Sequence, residues 1–137
     1  MKHTYKRYCK TLELVDDPAL IEEYKNLHSI GAAWPEITAG MKQVGIIDME
    51  IYISGTTLFM IMDTVNDFDH DSAMIILARL PRQSEWEATV SKYQKTMPNS
   101  SAKEKWQLVD RIFKMDQTQI EHADDGYEEH CDFDKTM

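Results

Sequence analysis

The feature that most constrains the fold is a pair of alternating apolar segments, IIDMEIYIS and TTLFMIMDT, joined by a glycine turn. Every second residue of the first segment is apolar, which is the period-2 pattern of a strand with one buried face. The predicted buried residues are Ile47, Met49, Ile51 and Ile53, and those on the other face are Asp48, Glu50 and Tyr52. Because Ser54 and Gly55 favour a tight turn, the two segments predict a β-hairpin.

Two helical segments precede this hairpin. In DDPALIEEYKNLH, two acids and Pro18 form a helix start, and the following helix formers predict a helix over residues 18 to 29. A second helix is predicted to start at Pro35, directly after Trp34, and to end at Gly45.

The remaining segments complete a recognisable order. YKRYCKTLELV predicts a first strand, SAMIILARLP and SEWEATVSKYQKTM predict helices, and KWQLVDRIFKM predicts a last strand. The order strand, helix, strand, strand, helix, strand is the ferredoxin-like split βαβ sandwich of the α+β class. Helices on one face of a four-stranded sheet leave the other face bare, which predicts a homodimer.

Length and charge limit the function classes. The 137 residues suit one domain, and a formal net charge of −9 argues against nucleic-acid binding. Much of that charge lies in EHADDGYEEHCDFDKTM, so we divide the chain into a domain over residues 1–116 and an acidic tail over 117–137. No apolar run suggests a signal or a membrane span, which favours a cytoplasmic protein. Cys9 and Cys131 lie far apart, and no metal-ligand spacing is present.

A tyrosine and a histidine four residues apart, Tyr24 and His28, are the first candidate for chemistry. On a helix this spacing places the phenol and the imidazole close together, where they could bind a sugar-sized ligand and exchange a proton with it. The spacing alone favours a simpler role, the capping and packing of a helix end.

Other aromatic, acidic and histidine residues carry weaker signals. Trp86 could provide a stacking platform for a sugar on a surface helix, whereas Trp34 and Trp106 are expected to pack in the core or at its edge. Asp48 and Glu50 follow the ordinary alternation of a polar strand face, so a glycosidase pair is not favoured. Four histidines in termini or connectors are expected to be solvated: His3, His70, His122 and His130.

Several of these segments, taken in order, resemble the L-rhamnose mutarotase family and its L-fucose-mutarotase-like relatives. They are EEYKNLH, WPEI, GIIDMEIYISGTTLFMIMDT, EW before a helix, and KWQLVDRIF, and the resemblance covers nearly all of residues 4 to 116. It implies a dimeric ferredoxin-like fold of the dimeric α/β barrel type, no cofactor or metal, and a monosaccharide substrate.

The resemblance also implies roles for four residues. His28 is the implied proton-transferring residue, Tyr24 and Trp86 the implied sugar-binding residues, and Met49 stands where the rhamnose enzymes have a tyrosine on the second strand. The implied reaction interconverts the α and β anomers of a 6-deoxy hexose, L-rhamnose or L-fucose. The alternatives are a non-catalytic ligand-binding or dimerising module of the same fold, and a heme or small aromatic oxygenase with a histidine ligand.

Overall fold

The computed structural model describes residues 5–29, 31–96 and 105–115. Within these ranges the elements are β1 (Tyr5–Glu13), α1 (Pro18–Leu27), α2 (Pro35–Gln43), β2 (Ile46–Ser54), β3 (Thr57–Val65), α3 (His70–Ala78), α4 (Gln83–Ser91) and β4 (Gln107–Val109). The predicted tail from residue 117 lies outside the described residues, as do His3, His122 and His130. No helix of the described ranges is long and apolar enough to cross a membrane.

The four strands form one antiparallel sheet in the order β2-β3-β1-β4. β3 is inserted between β1 and β2, and it pairs with β1 from Tyr5 opposite Val65 to Glu13 opposite Thr57. Four helices and an antiparallel sheet confirm the α+β class that the sequence predicted. The predicted hairpin of β2 and β3 is also present, with Gly55 in its turn at a φ of +62°.

The core lies between one face of this sheet and the helices. Alternate residues of the two central strands are buried on that face: Tyr8, Leu12, Leu58, Met60 and Met62. Each of the four helices adds side chains to the same cluster, including Tyr24, Ile37, Met74, Leu77, Trp86 and Val90. Because burial of apolar area is the main favourable term in folding, this cluster holds the helices against the sheet.

Local capping explains where the helices begin and end. The Asp17 carboxylate accepts a hydrogen bond from the Ala19 backbone N–H at 3.0 Å, directly before Pro18 opens α1. After α2, Gly45 has a φ of +106°, and a Cβ at this position would lie 2.9 Å from a Val65 side-chain carbon. Glycine is therefore required there for both its backbone conformation and its size.

The prediction that Ile47 shares the buried face of the hairpin is wrong. The register between β2 and β3 shifts between Ile46 and Asp48, so β2 contains a bulge. Ile46 is buried and Ile47 is 55% exposed, and the predicted alternation begins only at Met49. An inserted residue reverses which side chains point to the core on one side of the bulge. The position of the bulge depends on the pairing of β2 with β3.

Two other predictions need correction. The last strand is limited to Gln107–Val109, and residues 110–115 have no regular structure, with Phe113 74% exposed. His70, expected to be solvated, is the first residue of α3 and its side chain is only 11% exposed. Its ring lies 5.0 Å from that of Tyr8, because the chain returns to the sheet at this point.

The sheet face turned away from the helices carries apolar side chains in solvent. Tyr52 on β2 lies opposite Phe59 on β3, and their exposed fractions are 53% and 45%. Val109 on β4 lies opposite Cys9 on the same face and is 38% exposed. A monomer gains nothing from exposing these groups, and such a surface is typical of an interface.

Candidate active site

His28 caps the C-terminal end of α1, where its side chain folds back onto the helix. Its Nδ1 lies 2.8 Å from the Tyr24 backbone carbonyl oxygen. A carbonyl can only accept, so Nδ1 carries the proton and donates it. This bond fixes the ring orientation and leaves Nε2 as the nitrogen that can exchange a proton with a ligand.

Tyr24 packs directly against this imidazole. The two ring centroids are 4.4 Å apart, and only 4% of Tyr24 is exposed. Its hydroxyl accepts a hydrogen bond from the Gln94 side-chain amide at 3.4 Å, so its own O–H remains available to donate. Burial raises the pKa of Tyr24 to about 12, with the Gln94 bond opposing and the Glu87 charge adding to the rise.

Burial also changes the acidity of His28. Loss of solvent lowers its pKa below the ordinary 6.5, and the bond to the Tyr24 carbonyl only partly opposes this effect. The neutral imidazole therefore predominates at pH 7. The protonated form, when it occurs, gives up its proton more readily than a solvated histidine does.

The Tyr24–His28 pair lies within a continuous row of aromatic rings. Beyond His28, the rings of Trp86 and then Trp34 follow in edge-on contact, with centroids 5.3 Å and 5.2 Å apart. The Arg82 guanidinium lies 4.0 Å from the Trp34 ring centroid and covers that end of the row. Edge-on contacts of this kind hold each ring by its neighbours, so His28 is fixed between Tyr24 and Trp86.

A cavity of about 370 Å³ opens beside this row. Most of its wall is apolar and includes Ile37, Met41, Met49, Met60, Trp86 and Trp106. Its polar wall includes Tyr24, His28, Glu87 and Gln94. An apolar cavity of this size with a few converging polar groups is the usual form of a small-ligand site.

All four residues implied by the sequence resemblance line this cavity: Tyr24, His28, Met49 and Trp86. Trp86 is not the exposed platform expected of a surface helix, because only 8% of it is exposed. Trp106, expected in the core or at its edge, is buried and also contributes to the wall. Among the described residues, no group of three His, Cys, Asp or Glu side chains could hold a metal ion.

Gln94 and Glu87 also line the cavity, but the sequence did not indicate them. Gln94 follows α4, forms an isolated β-bridge with Leu14 directly after β1, and is buried. Its Oε1 is buried and has no hydrogen-bond partner among the described residues. A buried acceptor without a partner is costly, so a ligand hydroxyl would satisfy it. Nothing in the local sequence signals this role, since it depends on contacts 70 residues apart.

Fold and site together define a small α+β protein in which a tyrosine and a histidine, packed ring against ring, line a cavity. Residues 7–115 match the sequence profile of L-rhamnose mutarotase, and the chain belongs to the L-rhamnose mutarotase family. This confirms the resemblance seen in the sequence.

The chain is also similar to individual proteins. The chain is 39% identical over 110 residues to an L-fucose mutarotase of Xanthomonas campestris pv. campestris, a match that covers 80% of this chain and 88% of that protein. It is 34% identical over 116 residues to a UPF0734 protein of Dictyostelium discoideum, with 82% and 91% covered. A crystal structure of an L-rhamnose mutarotase from Formosa agariphila shares the fold, with a TM-score of 0.61, 21% identity, and 80% and 98% of the chains covered.

Proposed function

We propose that this protein interconverts the α and β anomers of a 6-deoxy hexose, L-fucose or L-rhamnose, by acid–base opening and closure of the sugar ring. The observation that carries the proposal is the contact between the buried Tyr24 and the half-buried His28 on the wall of the 370 Å³ cavity. The family and its L-fucose mutarotase member supply the substrate class.

His28 is the proton-transferring residue in this proposal. In the imidazolium form, its Nε2 donates a proton to the ring oxygen while a second group removes the proton of the anomeric hydroxyl, and the C1–O5 bond breaks to give the aldehyde. Rotation about C1–C2 presents the other carbonyl face, and reversal of the two proton transfers closes the ring. Protons and electrons balance without a metal or a cofactor.

The remaining wall residues bind the sugar. The free O–H of Tyr24 donates to a sugar oxygen, and the Gln94 acceptor receives a sugar hydroxyl. Trp86 and Met49 provide apolar surface for the methyl group and the apolar face of a deoxy sugar. Met49 has no hydroxyl, which suits apolar contact rather than a hydrogen bond.

At the level of fold and assembly, the proposal includes a ferredoxin-like split βαβ domain that forms a homodimer in the cytoplasm. The insertion of β3 between β1 and β2 supports the split βαβ topology. The exposed Tyr52, Phe59 and Val109 side chains support pairing through the open sheet face. The family match, which ends at residue 115, supports a domain over 1–116 and an appended tail over 117–137.

The proposal is tested by two-dimensional exchange NMR on a panel of L-fucose, L-rhamnose and D-glucose at equilibrium. The expected result is faster α–β exchange for at least one 6-deoxy sugar, unchanged by excess EDTA. The rate should fall as pH rises above the pKa of His28, because the proton donor is lost. Binding without faster exchange for every sugar would instead identify a non-catalytic sugar-binding module, and loss of activity in EDTA would contradict the metal-free mechanism.

A further inference from the structure

Glu87, on α4, lines the same cavity as His28 and forms an ion pair with the buried lysine Lys105. The Lys105 ammonium donates to Glu87 Oε1 at 2.9 Å, to the Glu87 backbone carbonyl at 3.1 Å and to the Ser91 hydroxyl at 2.8 Å. Three acceptors satisfy the three N–H groups of a lysine. Lys105 joins the segment before β4 to α4 through these bonds.

Burial differs between the two charged groups of this pair. The Lys105 side chain is 0% exposed, whereas the Glu87 side chain is 22% exposed and lines the cavity. A fully buried ammonium requires an ionised partner, and removal of that partner is costly. The lysine therefore lies in the interior, and the carboxylate it requires is presented at the cavity wall.

The geometry leaves one carboxylate oxygen for a ligand. Lys105 binds Oε1, and Oε2 has no hydrogen bond within the described part of the chain. Glu87 directly follows Trp86, whose ring contacts that of His28 at 5.3 Å. Its charge also reaches the Tyr24 hydroxyl, where it contributes to the raised pKa. Glu87 and His28 thus line the same cavity.

The other ionisable groups on the cavity wall are less suited to act with His28. Asp48 is exposed beside the β2 bulge, and Lys42 is exposed near the end of α2. Tyr24 holds its proton too strongly to act as a base near neutral pH. Glu87 is the carboxylate on this wall whose position a buried cation fixes.

Resting on the proposed function, we propose that Glu87 is the second proton-transfer group and that Lys105 is the positioning residue that holds it. Glu87 Oε2 accepts the proton of the anomeric hydroxyl while His28 Nε2 donates a proton to the ring oxygen. The C1–O5 bond breaks, and its electron pair stays on O5. Ring closure returns the first proton from Glu87 to O1 and the second from O5 to His28, so the enzyme is regenerated without another reactant.

The test is a double-mutant cycle on the full chain with Glu87→Gln, Lys105→Met and the double variant. Exchange of the active 6-deoxy sugar is measured per folded molecule, with the folded fraction taken from circular dichroism. Glu87→Gln should lower kcat about 100-fold, as loss of a general base does. Lys105→Met should lower kcat about tenfold in the wild-type background and less than twofold beside Glu87→Gln, because Lys105 acts through Glu87.

A matched control is available in Lys10, a second buried lysine that does not line the cavity. Lys10→Met should leave kcat per folded molecule unchanged. If Lys105→Met does not fold, Ser91→Ala carries the test, since it removes one acceptor of Lys105 without altering the cavity wall. Ser91→Ala should lower kcat several-fold in the wild-type background and should not lower it further in the Glu87→Gln background.

Three results would overturn the inference while leaving the proposed function intact: wild-type kcat in Glu87→Gln, the same fold loss from Lys105→Met in both backgrounds, or a larger loss from Asp48→Asn than from Glu87→Gln. A purely structural Lys105 would lower the melting temperature without changing kcat per folded molecule. A wild-type protein that exchanges no sugar would overturn the proposed function itself.

Discussion

Two regions on the helix-covered face of the sheet contain the same residue types but differ in what surrounds them. The cavity region contains Tyr24, His28 and Lys105, and the second region contains Tyr8, His70 and Lys10. Each has a tyrosine and a histidine with rings tilted by 34°, at centroid distances of 4.4 Å and 5.0 Å. Each also has a buried lysine: Lys105 is 4% exposed and Lys10 is 2% exposed.

The differences lie in open volume and in charge pairing. His28 lines the cavity, whereas His70 Nδ1 lies 2.9 Å from the Asp71 carboxylate and its ring packs on Tyr8 and Phe68. Lys105 has three acceptors, whereas burial lowers the pKa of Lys10 and the Asp71 charge only partly opposes this effect. The same tyrosine–histidine contact therefore occurs in two different surroundings, and only the Tyr24–His28 contact is on the wall of the cavity that the proposal uses.

The largest expected difference between the regions is catalytic. His28→Ala should reduce anomer exchange by on the order of 100-fold or more, because it removes the proton donor. His70→Ala should leave exchange per folded molecule close to wild type. Exchange NMR and melting temperature are measured on the same samples. A stable His28→Ala protein with wild-type exchange would show that this histidine only packs the helix end.

The second difference concerns the effect that replacing each lysine has on the stability of the protein. Burial lowers the pKa of Lys10 from 10.5 to about 8, so below pH 8 the folded state must keep a charge that is poorly solvated. Lys10→Met should therefore raise the free energy of unfolding at pH 7 by about 2 to 3 kcal/mol. Lys105→Met should lower it by a similar amount, because it separates a buried ion pair.

The pH dependence checks this explanation. Between pH 8 and 10.5 the unfolded chain binds more protons at residue 10 than the folded chain does, so wild-type stability should rise with pH in this window. Lys10→Met should abolish that rise. Urea unfolding at pH 7 and pH 10 measures both effects, and equal stabilities of the two lysine variants would contradict the comparison.

A smaller effect is expected from the tyrosine hydroxyls. Tyr24→Phe keeps the ring that packs on His28 but removes one donor to the sugar, so KM should rise about fivefold, or about 1 kcal/mol. Tyr8→Phe should not change KM, since Tyr8 does not line the cavity. Steady-state exchange rates across a range of sugar concentrations separate KM from kcat. A fall in kcat alone for Tyr24→Phe would instead place its hydroxyl in proton transfer.

The smallest expected effect is the contribution of His28 to acid sensitivity. Because its pKa in the folded state lies below 6.5, the unfolded chain binds more protons there, and stability should fall as pH drops through 6.5. His28→Asn should reduce this fall by less than about 1 kcal/mol between pH 7.5 and 5.5. Urea titrations of both proteins at these two pH values provide the measurement. An identical pH dependence in the two proteins would show that His28 has no lowered pKa.

Much of the fold could be predicted because its signals are local. The Asp17–Pro18 helix start and the glycine turn at Gly55 depend on a few adjacent residues, and the structure contains both. The spacing of Tyr24 and His28 likewise brought the two rings together, since residues four apart lie on one helix face. Alternation in β2 predicted its buried face correctly from Met49 onward, but the bulge at Ile47 depends on the partner strand.

The sequence by itself determined the order of the elements and the Tyr24–His28 pair, because backbone periodicity sets contacts between near neighbours. Only the tertiary structure decided that this pair lines a cavity while Tyr8 and His70 pack against each other and Phe68. It also decided the Lys105–Glu87 ion pair across 18 residues and the inward position of Gln94. Such contacts depend on how helices pack on the sheet, and no local pattern encodes the space that remains between them.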